Sequence, residues 1–95
     1  MIVSMLKVIF EIPDVDTIKE KRRIVQSVKM KLQKRFHVSS SEVELQDSLS
    51  FSEIGAAVVS NSKQFGETVM HKAFAMIENE IPVRIHDMAI HSEEF

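Results

Sequence analysis

Residues 2–12 have the sequence IVSMLKVIFEI, an alternating, largely apolar and β-branched segment that ends at Pro13 and Asp14. Alternation with a period of two is typical of a β-strand. Apolar side chains fall on both faces of this segment, which favours a position in the middle of a sheet over a position at its edge. The other elements of the chain are therefore expected to assemble around this strand.

The segment that follows changes to a helical period. Thr17 and Glu20 have the spacing of a capping box, in which Thr17 accepts a hydrogen bond from the third helical N–H and Glu20 reaches back. At 100° per residue, one stripe collects the apolar residues Ile18, Val25, Val28, Leu32 and Phe36. The sequence therefore predicts an amphipathic helix over residues 17–36.

Four more segments complete the chain. Strand patterns occupy residues 37–45, 52–60 and 83–91, and a helical pattern occupies residues 63–79. The polar 37–45 segment is typical of an edge strand, and Asn61 or Ser62 is placed to cap the second helix. The predicted buried stripe of that helix is Phe65, Val69, Ala73 and Met76 or Ile77.

The predicted order of elements is βαββαβ. Right-handed crossovers place both helices on the same face of a four-stranded antiparallel sheet. The prediction is thus an α+β, ferredoxin-like sandwich. A chain of 95 residues has room for a single core, so residues 1–95 are expected to form one domain.

Composition excludes several kinds of site. The chain has no cysteine, which removes disulfides, thiolate metal ligands and cysteine nucleophiles. His86 and His91 are five residues apart on a strand and are expected on opposite faces, so we predict no metal site and no cofactor. No apolar run approaches the length of a membrane span and no secretory signal is evident, which indicates a cytoplasmic protein without a membrane partner.

The charges are distributed unevenly along the chain. Residues 17–36 hold eight of the twelve basic residues and one acidic residue, for a charge of +7. The other 75 residues hold four basic and thirteen acidic residues, for a charge of −9. Most charge runs are solvated helix faces. Cations in the first helical turns, however, oppose the helix dipole, and an anionic partner explains them better than stability does.

A basic helix of this kind indicates RNA docking, for example on a ribosomal particle, by a protein that is not an enzyme. The predicted phosphate contacts are Lys19, Arg23, Lys31 and Lys34, with Arg22 and Lys29 flanking them. An acidic protein is the alternative partner of the helix.

A second hypothesis is a protein-interaction or homodimerisation module that uses the sheet face opposite the helices, here called the open face. The predicted interface residues on that face are Val3, Met5, Ile9, Ala57 and Val59, with Val83 and Ile85 as further candidates. A contiguous apolar surface of this kind marks an interface in many proteins. None of these residues is aromatic, which disfavours base stacking on the sheet.

Lys21 is the exception in the basic helix, because the helical period places it on the inward stripe beside Val25 and Val28. The simplest expectation is a long stem whose ammonium pairs with a loop carboxylate such as Asp14, Asp16 or Asp47. The weaker alternative is a pocket in which Lys21 binds a small anionic metabolite, as a binder or an enzyme.

Several short strings resemble the YlxP-like family of small bacterial proteins of uncharacterised function. They are TIKEKRR (17–23), RFHVS (35–39), EV (42–43), QD (46–47) and IGAAVVSN (54–61). Their order and spacing agree with the family over nearly the whole chain. The chain departs from the family's strings at His37 and Ser62, and it has Leu49 and Ser50 where the family has Trp-Gln.

This resemblance implies a ferredoxin-like fold, in agreement with the order of segments. It also implies an association with translation, because members of the family are often encoded near genes for an initiation factor and a ribosome-binding factor. It supplies no catalytic residues.

Overall fold

The structure is a computed structural model that describes residues 1–95. Its elements in chain order are β1 (Ile2–Glu11), α1 (Ile18–Phe36), β2 (Ser39–Glu44), β3 (Phe51–Ser60), α2 (Lys63–Glu80) and β4 (Arg84–Glu94). The four strands form one antiparallel sheet in the order β2-β3-β1-β4. Both helices bury side chains in a single core against this sheet, which confirms the predicted ferredoxin-like sandwich.

Strand β1 lies at the centre of the sheet, as its two-sided apolar pattern predicts. It pairs with β3 on one side and β4 on the other. Its even-numbered residues Leu6, Val8 and Phe10 are buried under the helices, and its odd-numbered residues face away from them. The polar strand β2 is an edge strand, also as predicted.

The capping box at the start of α1 is formed. Thr17 Oγ1 accepts from the Glu20 N–H at 3.2 Å, and the Glu20 carboxylate accepts from the Asp16 N–H at 3.0 Å. Val25, Val28 and Leu32 are buried as expected, and Phe36 packs partly buried against the core. Ile18 is 37% exposed, because it lies in the first turn at the end of the sheet.

The buried stripe of α2 differs from the prediction. Ser62 is the cap, but Phe65 is 58% exposed and Gly66 is buried in its place. A Cβ at Gly66 would collide with the side chain of Ser4, so only glycine permits this approach of α2 to β1. The close contact therefore selects which side of the helix faces the sheet. Met70, Ala73, Met76 and Ile77 complete the buried stripe.

A β-bulge in β4 corrects two further expectations. Ile9 pairs with Asp87 and Phe10 pairs with Ile85, so that His86 is an extra residue without a partner on β1. Beyond the bulge the alternation is reversed, and Val83 and Ile85 pack against the core instead of lying on the open face. The expectation for these two residues was wrong because no sequence period reports a bulge.

The same bulge places His86 and His91 on one face of the sheet, where the sequence predicted opposite faces. His86 contacts the Glu11 carboxylate, and His91 pairs with Met5, and both partners lie on the open face. These partners are six residues apart on β1, about 20 Å along the strand, so the two imidazoles do not meet. No group of three or more His, Cys, Asp or Glu side chains could hold a metal ion. Neither α1 nor α2 has an apolar stretch of the length that a membrane-spanning helix needs.

Candidate functional site

The exposed side of α1 forms a shallow basic groove of about 400 Å3. Its lining residues are Arg23, Gln26, Ser27, Met30, Lys31, Lys34 and Arg35. Most of these positions are three or four residues apart, the spacing of neighbours on one helix face. The groove thus brings together three of the six predicted binding residues, Arg23, Lys31 and Lys34, around the exposed side chain of Met30.

Helical geometry places the other three predicted residues around this groove. Lys19 lies one turn before Arg23 on the same stripe. Arg22 and Lys29 lie on the side of α1 that faces β2. On that side the Ser40 hydroxyl of β2 donates a hydrogen bond to the Lys29 carbonyl at 3.5 Å. All are exposed except Lys29, which is half-buried. The predicted set therefore covers one surface of α1.

Two of the basic side chains at the groove are engaged by an acid on α2. Arg35 contacts Glu80 at 2.6 Å, and Lys31 lies 4.0 Å from the other oxygen of the same carboxylate. The hydrogen bond from Arg35, together with the positive charges of Arg35 and Lys31, lowers the pKa of Glu80, and the reciprocal contact raises the pKa of Arg35. All three side chains are well solvated, so the pair adds little stability.

The other predicted cations have no such partner. None of the ion pairs in the structure involves Lys19, Arg22, Arg23, Lys29 or Lys34. Only the cations in the last turn, Lys34 and Arg35, have a favourable interaction with the helix dipole, and those in the first turns oppose it. The surface of α1 thus carries a concentration of positive charge that the protein itself leaves unneutralised.

Lys21 belongs to the same basic run but is only 1% exposed. Its ammonium donates to the carbonyl oxygens of Leu45 at 2.5 Å, of Gln46 at 3.4 Å and of Ser48. It also forms an ion pair with Glu42 Oε2 at 3.2 Å. We call this arrangement the Lys21 clamp, since it joins the start of α1 to the end of β2 and to the β2–β3 connection.

The Lys21 clamp confirms the inward position of Lys21 but not its predicted partners. Asp14, Asp16 and Asp47 are all exposed, and none forms an ion pair with the ammonium. Glu42 is the partner, and its carboxylate also accepts from the buried Ser52 hydroxyl at 2.6 Å. The sequence could not indicate which carbonyl groups accept from Lys21, because every residue has a backbone carbonyl group.

The geometry of the clamp leaves no site for a ligand at Lys21. The ammonium has four oxygen neighbours, and no buried side-chain nitrogen or oxygen lacks a hydrogen-bond partner. Neither of the two cavities in the structure is lined by Lys21 or Asp47. The small-metabolite hypothesis for Lys21 therefore has no cavity to support it.

A second depression, of about 360 Å3, lies on the open face. Its floor is made by the small residues Gly55 and Ala57, and Met5, Lys7 and Val43 stand around it. No sequence pattern singled out Val43 for this face. A bulge between Glu42 and Glu44 lets it reach over Gly55, where an added Cβ would lie 3.1 Å from Val43 Cγ1.

The apolar part of the open face is smaller than predicted. Met5 and Val59 are 37% and 62% exposed, whereas Val3, Ile9 and Ala57 are half-buried. Towards the other end of the strands the open face becomes polar, because His86 lies there. Its ring centroid is 5.2 Å from that of Phe51, and its Nε2 is 3.3 Å from Glu11 Oε1. The five predicted interface residues do share the open face, but Ile9 lies towards this polar end.

Comparison with known proteins assigns the chain to a family. Residues 3–90 match the family described as "Protein of unknown function (DUF503)". The chain belongs to DUF503. A curated relative, "Uncharacterized protein YlxP" from Bacillus subtilis (strain 168), is 32% identical over 66 residues, which cover 70% of this chain and 72% of the relative. The YlxP-like resemblance seen in the sequence is confirmed.

A solved structure supports the fold. The chain is similar, with a TM-score of 0.52 and 13% sequence identity, to a dimeric protein of unknown function and ferredoxin-like fold from Bacteroides fragilis NCTC 9343. The alignment covers 99% of this chain and 96% of that one. At this identity the similarity concerns the fold alone.

Three of the strings that carry the DUF503 resemblance meet at the Lys21 clamp. TIKEKRR contains Lys21, EV contains its carboxylate partner Glu42, and QD contains Gln46, one of the three carbonyl acceptors. The string IGAAVVSN lies in β3 and runs to the residue before the cap of α2. The short strings thus include residues that position elements, and the groove residues Gln26, Ser27 and Met30 lie outside them.

Proposed function

We propose that this DUF503 protein is a cytoplasmic, non-enzymatic protein that docks on RNA, such as the RNA of a ribosomal particle, through the exposed face of α1. The observation that carries the proposal is the set of basic side chains on α1 that no carboxylate neutralises, next to the groove lined by Arg23 and Lys34. Phosphates are the counterions that such a surface attracts most strongly.

The expected contacts are electrostatic and independent of base sequence. Lys19, Arg23 and Lys34 provide charges along one stripe, Arg22 and Lys29 flank it, and Gln26 and Ser27 add neutral hydrogen-bonding groups between them. Contacts to phosphates fix position and orientation without reading bases. Because the open face carries no base-stacking aromatic surface beyond Phe51, which His86 covers, the helix rather than the sheet is the expected RNA surface.

The test is binding of a labelled ribosomal RNA fragment, and co-sedimentation with ribosomal subunits, over a series of salt concentrations. The wild type is compared with the triple variant Lys19→Glu, Arg23→Glu, Lys34→Glu. The matched control reverses three exposed lysines elsewhere, Lys7, Lys63 and Lys72, and so has the same net charge.

We expect wild-type affinity to fall steeply with salt, and the α1 variant to lose binding while the control variant keeps most of it. Removing three phosphate contacts lowers the slope of log K against log salt by roughly 2–3. Equal loss in both variants would show that net charge alone matters, and binding that survives the α1 reversal would contradict the proposal. Circular dichroism checks that each variant is folded.

A second candidate function is a protein-interaction module, favoured by the uncovered apolar depression on the open face. Met5 and Val43 are exposed around the small floor residues, and Val59 is exposed two positions beyond Ala57 on the same face, which gives a partner both protruding and recessed apolar surface. Homodimerisation is one form of this candidate, and the Bacteroides fragilis protein of the same fold is described as dimeric. The test is a Val59→Glu variant. If this variant binds itself and its protein partners as tightly as the wild type does, the open face is not the interface.

A further inference from the structure

Strand β4 is a long edge strand with nothing paired on its outer side. It has 11 residues and pairs only with β1, whereas the opposite edge strand, β2, has six residues. About half of the backbone N–H and C=O groups of such a strand point away from the sheet. Proteins commonly protect edges of this kind with lysine, proline, a β-bulge or a short length. β4 contains neither lysine nor proline, and its bulge at His86 lies near the start of the strand, which leaves residues 87–94 in regular pairing with β1.

We propose that β4 pairs in antiparallel orientation with β4 of a second copy of the chain across a two-fold axis, which joins two four-stranded sheets into one sheet of eight strands. The sequence of the strand is self-complementary about Ala89. With Ala89 opposite the partner's Ala89, Met88 faces the partner's Ile90, and Asp87 faces the partner's His91.

The β-bulge extends this complementarity towards the ends of the strand. His86 is the extra residue of the bulge and has no residue opposite it. The register therefore shifts by one residue on the far side of His86, so that Ile85 faces the partner's Ser92. Arg84 then faces the partner's Glu93. The two-fold axis repeats each contact, so the interface contains two Arg–Glu pairs and two Asp–His pairs.

The faces of the sheet agree with this register. Met88, Ile90, Ile85 and Ser92 all lie on the helix side, because they pair with Val8, Leu6, Phe10 and Ser4 of β1. Asp87, Ala89, His91 and Glu93 all lie on the open face, opposite odd-numbered residues of β1. Every facing pair thus joins side chains on the same side of the sheet, as an antiparallel ladder requires.

The neighbouring registers are less favourable. A slip of one residue brings helix-side residues opposite open-face residues. Two other registers keep side chains of the same face opposite each other. When the two-fold axis passes through Ile90, Asp87 lies opposite the partner's Glu93. When the axis passes through Met88, Arg84 lies opposite the partner's His91. The register about Ala89 is therefore the one of these that sets Arg84 opposite a carboxylate and sets no two carboxylates against each other.

Existing contacts do not compete strongly with this pairing. Arg84 is 70% exposed and lies 3.7 Å from Glu11, and His91 contacts Glu93 at 2.9 Å on a well-solvated surface. Exposed pairs of this kind are weak and can exchange partners. Pairing of the β4 strands leaves the open face uncovered. The β4 interface alone therefore gives a dimer, and the β4 interface together with an open-face interface would give a tetramer with D2 symmetry.

The test is the mass of the full chain in solution, by sedimentation equilibrium from micromolar to submillimolar concentration. The variants are Arg84→Glu, Glu93→Arg and the double exchange that carries both. Lys72→Glu is the matched control, since it makes the same charge change as Arg84→Glu at an exposed position on α2, outside both the edge and the open face.

We expect the wild type to dimerise, each single exchange to weaken the dimer about tenfold, and the double exchange to restore it, because two facing pairs change sign in each single variant. Backbone amides of β4 should gain protection from hydrogen exchange as concentration rises. A monomer at all concentrations would overturn the proposal. So would a dimer that the folded single variants leave intact, or one that the double exchange does not restore.

Discussion

Replacement of Lys21 by methionine is expected to lower the free energy of unfolding by about 3 kcal/mol. Methionine keeps most of the buried stem but removes the ammonium, so Glu42 and three carbonyl groups lose their donor. Breaking a buried ion pair from one side costs roughly 3–5 kcal/mol. The Glu42 side chain is 17% exposed and keeps its bond from Ser52, which places the cost at the lower end.

A smaller effect acts in the opposite direction. Lys21 lies in the first turns of α1, where a cation opposes the helix dipole, and removing that cation stabilises the helix by about 0.3–1 kcal/mol. The loss of the Lys21 clamp outweighs this gain. A domain of this size has a free energy of unfolding of roughly 5–14 kcal/mol, so the variant is expected to remain folded in the absence of denaturant.

The measurement is urea denaturation followed by circular dichroism. With a slope of roughly 1–1.5 kcal/mol per molar urea, the midpoint should fall by about 2–3 M. Lys19→Met is the control, because Lys19 is an exposed cation in the same helical turn and its replacement should at most stabilise the protein by about 0.3–1 kcal/mol, through the helix dipole. Adding Glu42→Gln to Lys21→Met should cost much less than Glu42→Gln alone, since the pair is already broken.

A Lys21→Met variant within about 1 kcal/mol of the wild type would refute this reasoning, since a buried donor with four oxygen neighbours cannot be removed at the cost of a surface change. Such a result would mean that water replaces the ammonium, and the Lys21 clamp would then have no role in stability.

Three other substitutions test separate contacts. Gly66→Ala should destabilise by about 1–3 kcal/mol, although alanine favours helices, because its Cβ would collide with Ser4 Oγ; Ser4→Ala should relieve part of the cost in thermal melts. Thr17→Ala should cost about 1 kcal/mol of unfolding free energy by removing the helix cap. Glu80→Gln should lower the melting temperature slightly above pH 4.5 but not at strongly acidic pH. The pKa of Glu80 is depressed in the folded state, so its contribution is present above the ordinary value of 4.5 and is lost as pH falls through the folded value. The Glu80→Gln variant should also bind RNA more tightly, because Arg35 is released from its ion pair with Glu80.

Local patterns predicted most of the fold. The period of two in β1, the capping box at Thr17 and the stripe of Val25, Val28 and Leu32 are properties of neighbouring residues, and the structure reproduces each of them. The basic face of α1 follows from the same helical period, so four of its six predicted residues could be recognised as exposed from the spacing alone, and the other two, Lys29 and Lys31, are half-buried. The inward position of Lys21 was predicted on the same grounds.

Predictions that depended on contacts between distant residues were less successful. The carboxylate partner of Lys21 is 21 positions away, and its carbonyl partners are in a connection whose path depends on the packing of β2 and β3. Phe65 was predicted to be buried but is exposed, and Gly66 is buried in its place, because a helix can rotate about its axis until its closest contact with the sheet is satisfied.

By itself, the sequence determined the order of elements, the family and the concentration of basic residues on α1, because each is encoded in spacing along the chain. Only the tertiary structure decided which carboxylate meets Lys21, that Glu80 engages Lys31 and Arg35, and that a bulge at His86 reverses the faces at the start of β4. These features arise where two elements meet. Their register and rotation are set by packing, which a one-dimensional period does not contain.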